Sequence, residues 1–164
     1  TETIDSMNNL IDWLPKNLPS EKRTGIVHGD YSLTNVMIGK NDPNVIAILD
    51  WELSTLGDPC ADFNYHCLQY TMNPKLADKA YCKNQGIPVI DDYVKMYSEK
   101  INIDLTEEWN LYSAYNLFKL AGILQGILGR VRDGTAAHEN AAERASGVRN
   151  LSDKAWDLVK KNFL

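Results

Sequence analysis

The sequence has no surplus of positive charge and no long apolar run, and each absence excludes a class of protein. Its 164 residues include 17 Lys and Arg against 22 Asp and Glu, a formal net charge of −5. Without a basic block the chain has no electrostatic footprint for a phosphate backbone, so we expect no nucleic-acid partner. The longest uncharged apolar run, residues 120–129, is half of what a membrane span needs, so we expect no membrane partner.

Cysteine is scarce, and the N-terminal residues lack the features of a secretion signal. The three cysteines, Cys60, Cys67 and Cys82, form no C-x-x-C pair that would favour a zinc site. The first ten residues contain Glu2 and Asp5 and no basic start. We therefore expect reduced thiols and a cytoplasmic location.

Length and composition predict one globular domain. Apolar residues make up 44% of the chain and charged residues 24%, close to the globular average, and the length is near that of a single domain. Because the chain begins with Thr1 rather than methionine, we expect it to be a piece of something larger.

Short apolar runs in the first half predict strands. Residues 25–28, 35–38 and 45–50 are short and rich in Val and Ile, which favours strands over helices. Residues 39–44, G-K-N-D-P-N, are a strong turn signal between the last two runs. We expect those two runs to pair as a hairpin.

The remaining segments predict helices, and the second half of the chain is helical throughout. Ile4, Met7, Ile11 and Leu14 recur at helical spacing, and this helix should stop at Pro15. Further helices are expected over 58–70 with an Asp58 N-cap, over 74–84, over 93–100, along a buried central helix capped by Thr106, and near 148–159. In the central helix Gly122 and Gly126 should allow another helix to pack closely.

The segment 26–65 contains the residues that could take part in catalysis or metal binding. It contains H-G-D-Y-S-L-T-N at 28–35 and I-L-D-W-E at 48–52. Asp30 then lies on a loop after a strand, Asn35 follows five residues later, and Asp50 ends the return strand of the hairpin. Hard oxygen ligands converging at one end of a small sheet suit Mg²⁺. On the phosphoryl-transfer template Asp30 is the base, and Asn35 and Asp50 are metal ligands.

Two other interpretations of these residues remain open. Asp30 and Asn35 could cap turns while Asp50 merely ends a strand. Alternatively, His28 and Asp30 could bind a hydrolytic zinc or manganese ion, although a third ligand is not evident. Otherwise His28 orients the loop backbone. Asp30 and Asp50 must differ in role, because two neighbouring bare carboxylates share a proton unless a cation separates them.

The sequence resembles the C-terminal lobe of the aminoglycoside phosphotransferase and choline kinase-like family, relatives of the protein kinases. The resemblance rests on I-V-H-G-D-Y, V-I-A-I-L-D-W-E-L-S-T-L-G-D-P and A-D-F, with F-K-L-A-G-I-L-Q-G-I further on. It covers most of residues 1–150 and is closest to the kinase-like domains found with, or fused to, acyl-CoA dehydrogenases. It implies an α+β, mostly helical fold in which a small β-hairpin carries the catalytic loop and metal site.

The resemblance also implies that residues 1–164 form this lobe alone. Related enzymes cover ATP with an N-terminal lobe that has a Gly-rich loop and a lysine, and nothing here matches it. Gly39-Lys40 fails as a phosphate-binding loop, because the first glycine would have to stand at Thr34. We therefore expect the nucleotide-binding lobe to be absent from these residues, so that an isolated lobe would bind nucleotide poorly.

Site residues follow from the resemblance by position. It implies these roles: Asp30 as catalytic base, Asn35 and Asp50 as Mg²⁺ ligands, Glu52 as an acid beside the metal, Asp62 as a structural partner of the catalytic-loop backbone, and Gln125 and Arg130 on a helix that borders the acceptor pocket. The subgroup pattern H-G-D-Y-R-L-D-N is altered at Ser32 and Thr34. This sequence therefore lacks the basic side chain that the subgroup has at position 32.

The implied function is an ATP- and Mg²⁺-dependent phosphotransferase acting on a hydroxyl group of a small molecule. A hydroxyacyl-type metabolite is the acceptor suggested by the acyl-CoA dehydrogenase subgroup, with association or fusion to such a dehydrogenase. Two alternatives remain: an aminoglycoside-modifying phosphotransferase and a non-catalytic kinase-like scaffold. The intact base and metal ligands argue against the scaffold.

Overall fold

The computed structural model describes residues 2–19, 23–135, 141–144 and 146–164. Helices in this part of the chain run over Asp5–Asn17 (α1), Pro59–Cys67 (α2), Gln69–Met72 (α3), Pro74–Ala77 (α4), Lys79–Asn84 (α5), Ile90–Ile101 (α6), Trp109–Arg132 (α7), Ala141–Arg144 (α8) and Val148–Phe163 (α9). Strands run over Gly25–Val27 (β1), Val36–Ile38 (β2), Val45–Ile48 (β3) and Thr55–Gly57 (β4). The chain divides into two compact units: a central unit, Ser20–Trp109, and a terminal unit, Thr1–Pro19 with Asn110–Leu164.

The strands of the central unit form two antiparallel pairs. The predicted hairpin is confirmed: β2 pairs with β3, with Val36 opposite Ile48. A second pair joins β1 to β4, with Gly25 opposite Gly57. The sequence did not predict β4, because it is three residues long and its partner lies far away in the chain.

Helix α2 begins as the sequence predicts. The Asp58 carboxylate accepts the backbone N–H of Cys60, and proline follows at the first helical position. Two predicted helices are shorter than expected. The one over 58–70 is interrupted at Leu68, and the one over 74–84 breaks at Asp78, whose side chain accepts from Ala80 and starts α5. Asp78 caps a new helix instead of continuing the old one, since short acidic side chains compete for backbone donors.

An ion cluster and an aromatic cluster hold the helices of the central unit together. Arg23 contacts both the Asp58 carboxylate, at 2.7 Å, and the Glu108 carboxylate. Phe63 on α2 stacks on Tyr97 of α6, with ring centroids 3.7 Å apart and planes inclined by 8°. These contacts join α2 to the segment before it and to the helices after it.

The terminal unit is built on the packing of α1 against α9. Leu10, Leu14, Ala155 and Val159 are buried, in agreement with the amphipathic pattern of both helices. The expected stop of α1 at Pro15 is wrong, because α1 continues to Asn17. Proline so close to the helix end removes few backbone hydrogen bonds, and the last turn persists around it.

The long helix α7 differs from its prediction in three ways. It begins at Trp109 rather than after Thr106, because the Asp104 carboxylate accepts the N–H and hydroxyl of Thr106 and holds a separate turn. It is not buried throughout, since Ile123 is 43% exposed. The expected close packing at Gly122 is also wrong: no described atom lies within 4 Å of where its Cβ would be.

The three cysteines are free, as the sequence predicts, and all three are buried. Burial raises the pKa of the Cys60 and Cys67 thiols to about 12. Among the described residues, no helix is both long and apolar enough to cross a bilayer.

Candidate active site

The loop after β1 is anchored by the imidazole of His28. This side chain is 2% exposed. Its Nε2 lies 2.7 Å from the backbone oxygen of Leu49, and its Nδ1 accepts the backbone N–H of Asp30 at 3.2 Å. A carbonyl only accepts and an N–H only donates, so Nε2 carries the proton and the ring is neutral. Both nitrogens are therefore used in orienting the loop, which disfavours His28 as a metal ligand.

The side chain of Asp62 on α2 binds the backbone of the same loop. One carboxylate oxygen accepts the N–H of Gly29 at 3.0 Å, and the other accepts the N–H of His28. Gly29 has φ +85°, and a Cβ there would lie 2.5 Å from the backbone oxygen of Leu53. Glycine is required here by both the positive φ and the close approach.

Asn35 holds Asp30, which follows this loop, by two hydrogen bonds. Asn35 donates from Nδ2 to the backbone oxygen of Asp30 at 2.9 Å and to its Oδ2 at 3.2 Å. On α2, burial raises the pKa of Tyr65, and the Asp30 side chain raises it further. The sequence analysis did not include Tyr65 among the site residues. Its signal was its place on α2, three residues after Asp62 and on the same helix face.

Asn35 and Asp50 lie at the same end of the β2–β3 hairpin. Asn35 precedes β2 and Asp50 follows β3, and the backbone N–H of Leu49 donates to the oxygen of Asn35 at 2.8 Å. Asp50 has left-handed backbone angles, φ 66° and ψ 54°. This conformation is costly for a residue other than glycine, and such strain clusters at functional sites. The exposed Asp50 carboxylate has no hydrogen bond or ion pair with any described residue.

The donors at this end of the hairpin fit Mg²⁺. They are oxygen atoms: the Asp50 carboxylate and the amide oxygen of Asn35, whose nitrogen is held by Asp30. Across the described ranges, no group of three or more His, Cys, Asp or Glu side chains could form a closed metal cage. Mg²⁺ needs none, because it binds one or two carboxylates and keeps waters and phosphate oxygens as its other ligands. Glu52 is exposed in the short 3₁₀ turn Trp51–Leu53, directly after Asp50.

Aromatic rings border the loop on both sides. The ring of Trp51 lies 4.7 Å from that of His28, and its Nε1 donates to the backbone oxygen of Ile48. The ring of Tyr31 lies 5.5 Å from that of His66 on α2. These rings join the loop to the hairpin and to α2.

Ser32 and Thr34, the two positions that depart from the subgroup pattern, contact one another. Their hydroxyl oxygens are 2.6 Å apart, within hydrogen-bond distance. Where the pattern has a basic and an acidic side chain, this chain has two neutral hydroxyls that satisfy each other. This chain therefore has neither charge at these two positions.

Gln125 and Arg130, the remaining predicted site residues, lie on α7 in the terminal unit. Gln125 donates from Nε2 to the backbone oxygen of Glu2 at 3.3 Å and lines a cavity of about 150 Å³. Arg130 is exposed, and its backbone oxygen accepts the N–H of Thr135 at 2.9 Å.

The fold is mostly helical, with a loop aspartate, an asparagine five residues later and a second aspartate at the end of a small hairpin. This arrangement is that of the C-terminal lobe of a kinase-like phosphotransferase. Comparison with known families agrees. The sequence model of the phosphotransferase enzyme family matches residues 2–112, and the chain belongs to this family.

Relatives among known proteins carry acyl-CoA dehydrogenase names. The chain is 38% identical over 166 residues to acyl-CoA dehydrogenase family member 10 of Mus musculus, covering 98% of this chain and 16% of that protein. It is 34% identical over 167 residues to family member 11 of Homo sapiens, covering 99% and 21%. It is 34% identical over 172 residues to the Arabidopsis thaliana protein IBR3, named a probable acyl-CoA dehydrogenase, covering 97% and 20%.

A solved structure has the same fold. It is the crystal structure of a Ralstonia eutropha JMP134 protein with the provisional name aminoglycoside phosphotransferase. The two superpose with a TM-score of 0.90 at 41% identity, over 100% of this chain and 51% of that one. The chain thus spans about half of this structural neighbour and about a fifth of the length of the curated relatives.

Proposed function

We propose that this chain supplies the base and the metal ligands of an ATP- and Mg²⁺-dependent phosphotransferase that phosphorylates a hydroxyl group of a small molecule. One observation carries the proposal. The Asp30 carboxylate is held by Asn35, while the Asp50 carboxylate, at the hairpin end where Asn35 lies, is left exposed. Two acids in such different surroundings suit two different roles.

Each role follows from those surroundings. The oxygen of the acceptor hydroxyl attacks the γ-phosphorus of ATP, and Asp30 accepts the proton of that hydroxyl. As the new bond forms, the bond between the γ-phosphorus and the β,γ-bridging oxygen breaks, and ADP leaves. Asp50 and the amide oxygen of Asn35 hold Mg²⁺, with Glu52 as a further acid nearby. Bound Mg²⁺ supplies neutralisation of the phosphate charge. His28 and Asp62 keep the loop in place.

The same proposal assigns residues 1–164 to one lobe and places the nucleotide-binding lobe outside them. Exposed apolar strands support this assignment. Ile26 of β1 is directly opposite Leu56 of β4, and their side chains are 69% and 73% exposed. Ile46 of β3 is 63% exposed. Apolar positions of this kind are typical of a surface that another structure covers.

For the acceptor we propose a hydroxyacyl-type metabolite, on the strength of the acyl-CoA dehydrogenase names of the relatives. Association or fusion with such a dehydrogenase belongs to the same proposal. Gln125 and Arg130 are the proposed acceptor contacts, since a guanidinium pairs well with carboxylate or phosphate. Ser32 is a weaker candidate, because its hydroxyl is engaged with Thr34. An aminoglycoside is the second candidate acceptor, suggested by the name of the structural neighbour.

The test uses the full-length protein with labelled ATP and Mg²⁺. It is offered hydroxyacyl-CoAs, amino alcohols and aminoglycosides, and Asp30→Asn is assayed in parallel. The control is Asp42→Asn, which alters an exposed turn carboxylate that accepts from Asn44. We expect label on one acceptor class, loss of transfer in Asp30→Asn, and unchanged transfer in the control.

Two results would contradict the proposal. Full transfer in Asp30→Asn would remove Asp30 as the base. Failure of the wild-type protein to bind nucleotide would favour the alternative of a non-catalytic kinase-like scaffold.

A further inference from the structure

The backbone on the N-terminal side of Asp50 is fixed by two hydrogen bonds. The N–H of Leu49 donates to the backbone oxygen of Asn35 at 2.8 Å. The backbone oxygen of Leu49 accepts from Nε2 of His28 at 2.7 Å, and the His28 side chain is 2% exposed. The residue before Asp50 is therefore held by two other segments of the central unit.

Trp51 holds the backbone on the other side of Asp50. Its indole Nε1 donates to the backbone oxygen of Ile48 at 2.8 Å, and its ring lies 4.7 Å from the ring of His28, with planes inclined by 48°. The hydrogen bond runs back from residue 51 to residue 48 and closes a loop of chain that contains Asp50. The backbone hydrogen bond from Ser54 to Trp51, at 2.9 Å, lies within the 3₁₀ turn and would move with it.

The left-handed conformation of Asp50, with φ 66° and ψ 54°, needs such a constraint. Outside glycine this conformation is unfavourable, because the Cβ comes close to the following carbonyl oxygen. The exposed Asp50 carboxylate has no hydrogen bond or ion pair with any described residue. The conformation is therefore maintained through the residues on either side, and a change of φ and ψ would turn the carboxylate in a new direction.

We propose that Trp51 is a positioning residue for Asp50: its indole N–H, bonded to Ile48, holds the left-handed conformation and with it the direction of the carboxylate that binds Mg²⁺. The inference rests on the proposed function, because it takes Asp50 as a ligand of Mg²⁺. Residues that orient a metal ligand affect the affinity of the site, and their loss typically weakens metal binding or activity about 10- to 100-fold.

The experiment measures metal binding by the full-length protein, with Mn²⁺ as the probe ion. Binding of Mn²⁺ together with a non-hydrolysable ATP analogue is followed by the relaxation of water protons, which changes when the ion becomes bound to protein. Trp51→Phe keeps an aromatic ring and removes the indole N–H. We expect the dissociation constant for the metal–nucleotide complex to rise about 10-fold. Because the Trp51 side chain is 45% exposed, we expect the variant to remain folded.

Trp13→Phe is the matched control. The ring of Trp13, on α1 in the terminal unit, lies 5.3 Å from that of Phe163, with planes inclined by 49°. This geometry is close to that of the pair of Trp51 and His28, but it involves neither Asp50 nor its neighbours. We expect Trp13→Phe to bind the metal–nucleotide complex as the wild-type protein does.

A second variant separates the N–H from the ring and keeps the test valid if Trp51→Phe folds poorly. Replacing Trp51 by 3-benzothienylalanine keeps the shape of the indole, with sulfur in place of the N–H. The ring can then still pack on His28, but it cannot donate to Ile48. We expect this variant to bind the complex as weakly as Trp51→Phe. Wild-type affinity would show that the hydrogen bond does not position Asp50, and the proposal would be wrong.

Failure of this inference is distinguishable from failure of the proposed function. Wild-type affinity in Trp51→Phe, with binding lost in Asp50→Asn, would overturn the role of Trp51 and leave Asp50 as the metal ligand. Wild-type affinity in Asp50→Asn would overturn both, as would failure of the wild-type protein to bind the complex. An equal loss in Trp51→Phe and Trp13→Phe would make the effect general and would also overturn the role of Trp51.

Discussion

Asp62 and Gly29 are 33 residues apart in sequence, yet the Asp62 carboxylate accepts the Gly29 backbone N–H at 3.0 Å and the adjacent N–H of His28 with its other oxygen. A single side chain on α2 thus fixes two successive peptide groups of the loop that carries Asp30. Because only a carboxylate offers two equivalent acceptors in this geometry, the contact is specific to Asp or Glu at this position.

Asp62→Asn should damage both stability and phosphate transfer. An asparagine can accept one of the two N–H groups, and its own NH₂ then faces the other donor. We expect the free energy of unfolding to fall by about 1–3 kcal/mol, with reduced kcat, measured by urea unfolding and by transfer from labelled ATP. Asp91→Asn is the control, because its pair with Lys79 is largely exposed, at 71% and 67%, and solvent screening leaves such a pair little effect on stability. Equal effects of the two changes would contradict this prediction.

Gly29→Ala should be more harmful than Gly86→Ala. Both glycines have positive φ, +85° and +69°, so both pay the cost of a left-handed backbone. Only at Gly29 would the new Cβ also meet a backbone oxygen, that of Leu53 at 2.5 Å, whereas no described atom lies within 4 Å at Gly86. Thermal unfolding should show a cost of about 1 kcal/mol for Gly86→Ala and a clearly larger one for Gly29→Ala. Transfer activity should fall only in Gly29→Ala, and the reverse order would refute the assigned clash.

Arg23→Met should destabilise the protein by about 3 kcal/mol. The side chains of Arg23, Asp58 and Glu108 are 19%, 18% and 9% exposed, so the change leaves two shielded carboxylates without this cation. Arg132→Met is the matched control, since Arg132 pairs with Asp133 at the surface, at 63% and 56% exposure, and should cost less than about 1 kcal/mol. Denaturant unfolding of both variants measures the difference. A similar small cost for both would show that the Arg23 cluster contributes little.

His66 should titrate below the ordinary histidine range. Burial lowers its pKa from 6.5, and its Nδ1 is shielded with no hydrogen-bond partner among the described residues. The unfolded chain therefore binds more protons just below pH 6.5 than the folded one. The stabilisation from His66 is complete above the unfolded pKa and is lost as the pH falls through the window between the two pKa values. An NMR titration should give a midpoint below that of the urea-unfolded protein; an equal or higher midpoint would contradict the prediction.

Local patterns predicted the local structure well. The turn G-K-N-D-P-N and the flanking Val and Ile residues were sufficient for the β2–β3 hairpin, and Asp58-Pro59 for the start of α2. Both features depend on residues within a few positions of one another. The sequence did not predict the break at Asp78. An aspartate within a helical pattern fits either an N-cap or an exposed position on a continuous helix.

Contacts between distant segments could not be predicted in the same way. The β1–β4 pair joins two three-residue strands with little pattern of their own. The Arg23 cluster joins a loop residue to the N-cap of α2 and to a residue before α7. Both pairings depend on tertiary packing, to which residues throughout the central unit contribute. They therefore cannot be predicted from the residues next to each partner.

The sequence by itself determined the family, the hairpin and the identity of the two acids, because these depend on residue types at short, fixed spacing. Only the tertiary structure decided how the acids differ. It brings Asn35 to the Asp30 carboxylate and leaves Asp50 exposed in a left-handed conformation. The physical reason is that a carboxylate's role depends on its neighbouring donors and its access to solvent, which the packing of α2 and the hairpin sets.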